Sequence, residues 1–476
     1  MPVIAVTADT DADVKDVVNN SQKADKNTLF CAYKGECESG EDHIKEALAN
    51  GCKIVLCERR PEIKCGYILV RDAREAYAYA CASLNKDPQK KLRLAAVTGT
   101  NGKTTTSTML YHILSSLHGK AALIGGVNNI VCGKEYRSTQ TTPDPSVIYK
   151  ILSDAASEGA GYAVIEASSH ALEYKKLTPC RFEIGAFTNL TEDHLDYHGT
   201  MDDYFEAKLK LIPLCEKFVS NGDDVYTKRI NCPHFSLYDG EFTAKIKRLD
   251  RYGAEFTYDG QKSAECVIHL PGKFNVYNAL TALCTAELMG EDVSDAAEAL
   301  GSFKGVKGRF ELHKSKYGAD IIIDYAHTPD ALQNALISAR AICGGRLICV
   351  FGCGGDRDKG KRRLMGAVSS DLSDLTVITE DNSRSENAAD IIADILKGVD
   401  KSAKYTVIKD RREAILYALG TAKQGDTVLL AGKGHEDYEI NKDGTHPFSE
   451  CGIINEFNCG GYVDGDHDGK RGGNSL

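Results

Sequence analysis

No stretch of this chain is apolar enough to span a bilayer, so no membrane-embedded role is expected. The N-terminus, Met-Pro-Val-Ile-Ala-Val-Thr-Ala-Asp, lacks the basic start and long apolar core of a secretory signal, and a cytoplasmic location is expected. No Cys-x-x-Cys pair occurs among the 17 cysteines, which argues for reduced, mostly buried thiols over a disulfide framework or zinc site. There is no excess of positive charge. A net charge of −10 argues against general nucleic-acid binding, although local basic groups can still attract an anionic small substrate. No internal repeat is visible. What is present is an ordinary globular composition, 42% hydrophobic and 26% charged, over 476 residues. That length suits about three domains, and a monomer is expected.

The most informative stretch is Val97-Thr-Gly-Thr-Asn-Gly-Lys-Thr-Thr-Thr106. The apolar run Leu94 to Val97 before it reads as a buried strand, and Thr108 to Leu117 after it has apolar residues at helical spacing. Strand, Gly-rich turn, Gly-Lys-Thr and helix form a phosphate cradle. The turn's N–H groups and the helix N-terminus face an anion, Lys103 reaches terminal phosphates, and a Thr hydroxyl can ligate magnesium. The strict eight-residue motif would need Gly at position 97, where Val97 stands, so Gly99-x-x-Gly102-Lys103-Thr104 is a shorter variant. An ordinary helix start is the competing reading, and the flanking strand and helix weigh against it.

Residues 1–91 read as a small α/β unit. It has strands at 29–33 and 54–57, helices at 43–50 and 73–84, and a polar linker at 85–91. Residues 92–308 alternate strands (121–124, 163–167, 184–188) with helices, as a parallel doubly wound sheet requires. Between 218 and 270, Asn-Gly and Asp-Gly signals predict appended antiparallel strands, followed by helices at 275–289 and 293–300. Residues 309–457 predict a second nucleotide-fold-like sheet with strands at 320–324, 346–351, 375–379, 405–408 and 427–431. The Gly- and Asp-rich residues 458–476 are expected to be a disordered tail.

Polar clusters follow several of these strands, where ligands gather in open α/β sheets. Glu166-Ala-Ser168-Ser-His170 offers a carboxylate for the magnesium of a nucleotide at 99–104, the alternative being a solvated loop acid. The segment Thr188 to Gly199 packs Glu192, Asp193, Asp196, His194 and His198 into one turn, which favours metal or phosphate chemistry over a structural histidine. Lys208 shares a helix face with Tyr204, Leu211 and Ile212, which by spacing alone reads as a snorkelling lysine, and Lys210 as plain surface. In the last third, Asp324-Tyr-Ala-His327, Gly352 to Arg363, Asp381-Asn-Ser-Arg384 and Gly432-Lys-Gly-His-Glu436 follow successive strands. They bring Arg, Arg and Glu to one rim, a mixture suited to a substrate bearing carboxylates and an ammonium.

Taken together, these motifs resemble the Mur ligase family over nearly the whole chain. The likeness is most specific at Gly99 to Thr105, Phe187 to Leu190, Asp193 to His198, Gly308 to Glu311, Asp324 to Pro329, Gly352 to Arg362 and Gly432 to Tyr438. The resemblance implies an α/β protein of three domains: an N-terminal UDP-sugar domain, a central P-loop-type ATPase sheet, and a Rossmann-like C-terminal domain that delivers an amino acid. It implies an ATP- and Mg2+-dependent amide ligase of peptidoglycan precursor synthesis, working through an acyl phosphate. The substrates it implies are UDP-N-acetylmuramoyl-L-alanyl-D-glutamate and meso-diaminopimelate. By resemblance, Gly99, Thr100, Asn101, Gly102, Lys103, Thr104, Thr105, Asn275, Asn278, Arg309, Asp324 and His327 contact ATP. Thr104, Glu166, His194 and Lys208 hold magnesium, Lys208 as the carbamate (N6-carboxylysine) found in family members. Lys103, Lys208 and His194 are the catalytic group. Ser21, Thr141, Thr142, Ser168, Tyr174 and Lys176 match the muramoyl-dipeptide site, and Arg357, Asp381, Asn382, Arg384, Gly432 and Glu436 the amino-acid pocket.

An Arg in the Asp-Asn-x-Arg motif resembles the diaminopimelate-adding type, because a guanidinium can clamp the distal carboxylate bidentately. Here the family's usual Asp-Asn-Pro-Arg reads Asp381-Asn-Ser-Arg384, Asp-Ser-Arg reads Asn20-Ser-Gln22, and Tyr174 and Lys176 replace a frequent Gln and Arg. Other readings are the same reaction with L-lysine or another diamino acid, a folate or poly-amino-acid ligase, and a nucleotide-gated binding protein without ligase activity.

Overall fold

The computed structural model describes residues 3–7, 13–35 and 38–460. The chain forms two compact units, Met1–Val306 and Lys307–Leu476. Each is built on parallel strands whose near-continuous apolar runs are covered on both faces.

In the first unit a five-stranded sheet runs in the order Val3–Val6, Gly66–Val70, Ile54–Cys57, Thr28–Ala32, Asp16–Val18, parallel except for its first strand. The larger sheet has eleven strands. Its parallel centre is Cys215–Asn221, Phe182–Phe187, Arg93–Thr98, Tyr162–Glu166 and Ala121–Ile124. Side chains of Arg93–Thr98 alternate between two cores. Ala95 and Val97 pack with Leu110, Ile113 and Leu114 of the helix Lys103–His118. Leu94 and Ala96 join a core that also contains Ile148 and Leu152 of the helix Pro145–Ser157 and Val17, Leu29 and Leu56 of the small sheet. The two sheets of this unit thus share one apolar core. The polar segment 85–91, which reads as a linker, is packed accordingly: Pro88–Lys90 makes a 3-10 turn with Pro88 and Gln89 buried.

The antiparallel expectation for residues 218–270 holds only in part. Phe242–Asp250, Gly253–Asp259 and Ser263–Ile268 pair antiparallel, but Cys215–Asn221 and His234–Ser236 extend the sheet in parallel. The reason lies in the first turn signal. Asn221-Gly222 opens a longer crossover whose Asp224 carboxylate accepts the amides of Leu190, Tyr226 and Thr227, so no hairpin closes there.

The second unit has a six-stranded sheet in the order Glu311–Lys314, Asp320–Asp324, Thr427–Ala431, Leu347–Phe351, Leu375–Ile378, Tyr405–Val407. All neighbours are parallel except the edge strand Glu311–Lys314. A hairpin, Tyr438–Asn441 with Gly444–Pro447, and the helix Glu450–Asn458 complete it. The disorder expected from Asn458 does not begin there, since Asn458 closes that helix. Residues 461–476, the rest of the expected tail, lie outside the described residues. No helix among the described residues is long and apolar enough to cross a membrane, and the described cysteines are all free thiols, most of them buried.

One ion pair in the second unit is enclosed on both sides. The side chains of Arg411 and Glu450 are each 1% exposed and bond at 2.8 Å, and Arg411 also donates to the Ala431 carbonyl at 2.8 Å. Removing one partner strands a charge in a dry interior. Arg411→Ala should therefore lower unfolding free energy by about 3–5 kcal/mol, read as a fall in the urea midpoint of the unit. An unchanged midpoint would contradict this account.

Candidate functional site

The strand Arg93–Thr98 ends in a loop that turns into the helix Lys103–His118. Gly99 has φ +142° and Gly102 φ +83°, conformations that disfavour a Cβ. Space enforces the same choice: a Cβ at Gly99 would lie 1.9 Å from Thr188 Oγ1, and one at Gly102 2.4 Å from Asn278 Oδ1. The loop is laced to the next strand end. Thr100 N donates to Asn189 O (2.9 Å), Asn101 N to Asn189 Oδ1 (2.9 Å), and Thr188 Oγ1 to Asn101 O (2.6 Å). The helix begins at Lys103, earlier than apolar spacing suggests, so Lys103, Thr104 and Thr105 occupy its first turn at the positive end of the helix dipole. Asn278, a buried residue of the helix Lys273–Leu288, accepts from Thr106 Oγ1 at 3.3 Å and donates to the Asn275 side chain at 3.2 Å.

Glu166, the last residue of its strand, is fully buried. Its Oε2 accepts from Thr104 Oγ1 (3.0 Å) and its Oε1 from Gly126 N (2.9 Å). Lys208 does not snorkel. It is 1% exposed, and its ammonium donates to the Gly99 carbonyl at 2.8 Å, an oxygen that Lys103 also reaches at 2.9 Å. Burial, and then the nearby charge of Lys103, hold the Lys208 pKa well below the ordinary lysine value, with Asp193 opposing them. Lys210, by contrast, is surface, paired with Glu173.

Around Tyr204 the structure gathers the histidines that sequence placed in one turn. His194 takes φ +55°, which His tolerates better than most residues, and its Nε2 lies 3.4 Å from Asp193 Oδ2. The Tyr204 ring meets His194 (6.2 Å), His198 (5.0 Å) and the Lys208 ammonium (4.5 Å). His170, which sequence reading noted without a role, packs against His194 and Tyr197. Burial, and after it the charges of His170 and Lys208, push the His198 pKa down to about 4 against Glu173 and Asp196.

Five of the six residues expected at the dipeptide site lie near this edge or just beyond it. Thr142 Oγ1 donates to the Glu166 carbonyl (2.6 Å) and accepts Ser168 N (3.0 Å). Lys176 donates to Thr142 O (3.1 Å) and Gln140 Oε1 (3.2 Å), with burial lowering its pKa. Thr141 stands beside Gly126. The Tyr174 ring lies under the Arg74 guanidinium at 4.1 Å. Ser21 is engaged in the small sheet's periphery, donating to Glu46 Oε2 at 2.6 Å.

In the second unit the ends of three strands carry hydrogen-bonded polar groups. Asn382 Nδ2 donates to Glu436 Oε2 (2.8 Å), and Arg384 Nη1 to Gly355 O (2.7 Å) and Asn382 O (3.3 Å). Gly432, at φ +116°, lets the chain pass Asp381, where a Cβ would sit 2.7 Å from Oδ2. The turn that lacks Pro at position 383 is tied instead to the hairpin strand: Arg384 N donates to Ile440 O (3.1 Å) and Ile440 N to Asn382 Oδ1 (2.9 Å). Arg309 lies over the Tyr325 ring at 4.3 Å, and His327 Nδ1 is 2.8 Å from Tyr325 O. The second oxygen of Asp324 accepts Phe310 N at 2.7 Å. Arg357 is exposed. Sequence reading missed Lys433, which is fully buried, donates to Asn382 Oδ1 (3.0 Å), and lies 3.4 Å from Glu436 and 3.7 Å from Asp381. Burial raises the Asp381 pKa, but Lys433 and Arg411 outweigh it and hold that carboxyl below its usual value. The only signal for Lys433 was its place inside a Gly-Lys-Gly turn.

A phosphate-cradle loop at the carboxyl end of a parallel sheet, with a buried carboxylate and hydroxyl beside it, defines a P-loop-type nucleotide-binding protein. The Mur ligase middle domain matches residues 97–286, and the Mur ligase, glutamate ligase domain, residues 308–434. The chain is 38% identical over 464 residues to UDP-N-acetylmuramoyl-L-alanyl-D-glutamate--2,6-diaminopimelate ligase 1 of Clostridium acetobutylicum, covering 95% of this chain and 96% of that one. It is 40% identical over 457 residues to the Aquifex aeolicus ligase of the same description, covering 93% of each. A solved structure of such a ligase superposes with a TM-score of 0.65 at 31% identity, over 94% of this chain and 96% of that one. The chain therefore belongs to the Mur ligase family, with the α/β architecture of its members.

The depressed His198 pKa has a sign that can be tested. Between the ordinary value of 6.5 and about 4, the unfolded chain takes up a proton that the folded chain refuses. Stability is thus full above pH 6.5 and is lost as pH falls towards 4. In His198→Gln, urea midpoints measured across that window should fall less steeply than in the wild type. Parallel profiles would exclude His198 as the source.

Proposed function

We propose that this chain is an ATP-dependent amide ligase that joins meso-diaminopimelate to UDP-N-acetylmuramoyl-L-alanyl-D-glutamate, as the names of its relatives describe for them. The observation that carries the reading is the set of groups facing the Gly99–Thr104 loop: Lys103, the Thr104 hydroxyl, the buried Glu166 carboxylate and the buried Lys208 amine. A mere nucleotide switch needs only the first three.

In this reading a side-chain carboxylate oxygen of the dipeptide's D-glutamate attacks the terminal phosphorus of ATP. The bond from that phosphorus to ADP breaks, leaving an acyl phosphate. The amine nitrogen of diaminopimelate then attacks the acyl carbon and loses a proton, and the tetrahedral adduct expels phosphate to leave the amide. Lys103 and the amides of the loop face the phosphates and offset charge that builds during transfer. The donor set beside the loop fits magnesium, since a carboxylate and a hydroxyl are hard oxygen ligands already placed 3.0 Å apart. Thr104 and Glu166 would hold one ion, His194 would help hold another, and a carbamylated Lys208 would add an anionic ligand; when bound, the ions supply positive charge against the phosphates.

Lys208 suits carbamylation for a physical reason. Only a neutral amine attacks carbon dioxide, and burial beside Lys103 favours the neutral form. The product, formed with loss of one proton, carries a carboxylate where a cation had stood beside another cation. Asn275 and Asn278, and Arg309, Asp324 and His327, are proposed as further nucleotide contacts. Thr141, Thr142, Ser168, Tyr174 and Lys176, with Ser21, are proposed for the dipeptide, the domains being 1–91, 92–308 and 309–457.

For the amino acid we assign Arg357, Asp381, Asn382, Arg384, Gly432 and Glu436. Anchoring one Arg384 nitrogen to two carbonyls orients the guanidinium plane for a carboxylate, while the acids Asp381 and Glu436 suit an ammonium group.

ADP release measured with UDP-N-acetylmuramoyl-L-alanyl-D-glutamate and a panel of diamino acids should be fastest with meso-diaminopimelate. Lys208→Ala should abolish turnover, with partial recovery in short-chain carboxylates; full activity without them would remove the carbamate. Arg384→Ala should cost about 1.5–3 kcal/mol of transition-state binding with diaminopimelate, the worth of a charged hydrogen bond, and much less with lysine. Equal losses with both would count against the clamp.

A further inference from the structure

Three side chains of the second unit that the ligase reading leaves without a role converge on one point. Glu311 and His313 stand two residues apart on the edge strand Glu311–Lys314, so both point to the same face of the sheet. Cys451 lies at the start of the helix Glu450–Asn458. His313 Nε2 is 2.9 Å from Glu311 Oε1 and 3.9 Å from Cys451 Sγ, and the three ligand atoms lie within 4.8 Å of one another. Around a tetrahedral zinc ion, with bonds of about 2.0 Å to nitrogen and oxygen and about 2.3 Å to sulfur, neighbouring ligand atoms are separated by roughly 3.3–3.6 Å. The observed separations straddle that range, so small side-chain rotations complete the geometry. The other Glu311 oxygen accepts Gly308 N at 2.7 Å, the kind of hydrogen bond that holds a ligating carboxylate in orientation. His313 and Glu311 are 26% and 28% exposed, which leaves a path for an ion and room for water in a fourth position.

We propose that Glu311, His313 and Cys451 form a binding site for a thiophilic divalent cation of the zinc class. The mixed sulfur, nitrogen and oxygen donors select such an ion over magnesium, which takes oxygen ligands and keeps its waters. The site is therefore separate in chemistry from the magnesium expected beside Glu166. On binding, the Cys451 thiol and the His313 imidazolium, which its neighbours Cys451 and Glu311 favour, each give a proton to solvent, and the thiolate sulfur and the freed ring nitrogen bond to the metal. The bound ion ties the edge strand of the sheet to the first turn of the final helix, directly after Glu450, the partner of Arg411.

Cobalt titration of the full-length protein in saturating Mg2+ tests it, because a thiolate bound to Co2+ gives a near-ultraviolet charge-transfer band that oxygen and nitrogen ligands do not. The expected result is one equivalent of that band, removed by added Zn2+ and retained in Cys459→Ser, a nearby exposed cysteine. The band should vanish in Cys451→Ser. In His313→Gln the apparent Co2+ affinity should fall by at least about tenfold, the lower end of what even an outer-shell change costs. Thermal melts without metal establish that each variant is folded, and His313→Gln serves if Cys451→Ser is not. No band in the wild type, or the same band in Cys451→Ser, would leave only an ordinary hydrogen-bonded pair beside a thiol and overturn the proposal.

Discussion

Two lysine ammonium groups on one carbonyl oxygen, that of Gly99, are the constraint around which the first unit is arranged. Like charges this close repel, and Lys208 has also lost its water. The structure tolerates the arrangement because Asp193 opposes it and because the buried amine can shed its proton. Everything that sets the position of Gly99 is then under load. Its own φ and the Thr188 hydroxyl exclude a side chain, the loop of Asn189 and Thr191 is bonded to the next two residues, Thr100 and Asn101, and the Tyr204 ring lies 4.5 Å from the Lys208 ammonium.

The same logic explains why the first unit is one body. The loop needs a strand that cannot shift, and Arg93–Thr98 lies between two parallel neighbours with cores on both faces. One of those cores continues into the small N-terminal sheet, so the dipeptide-site candidates Thr142, Ser168 and Lys176 and the surface around Arg74 and Tyr174 are held by shared packing. In the second unit Lys433 plays the corresponding part. A fully buried cation among Asp381, Asn382 and Glu436 fixes three polar groups that would otherwise be costly to enclose.

Much of this was legible from residue order. The strands at 54–57, 121–124, 320–324 and 427–431 and the helix at 73–84 fall where apolar runs and their punctuation put them, because a strand buried on both faces must be apolar throughout. The edge strand Glu311–Lys314 and the hairpin Tyr438–Asn441 with Gly444–Pro447 were not legible, since a strand at an edge needs no such run. Strand direction after Asn221 was misread because an Asn-Gly pair marks a turn without saying how far the chain travels before it pairs again.

By itself, the sequence determined the alternation of elements, the phosphate loop, the family and the residue types gathered at each strand end. These are local matters, governed by periodicity, by glycine's freedom at positive φ and by the chemistry of short motifs. Only the tertiary structure decided that Lys208 is buried and not snorkelling, that Pro88 and Gln89 of the segment 85–91 are buried, and that Lys433 underlies the second cluster. It alone brought Cys451 to His313 and Glu311. Burial and charge pairing depend on residues far apart in the chain, and their energies are set by distance and by the exclusion of water, neither of which is written in the order of the residues.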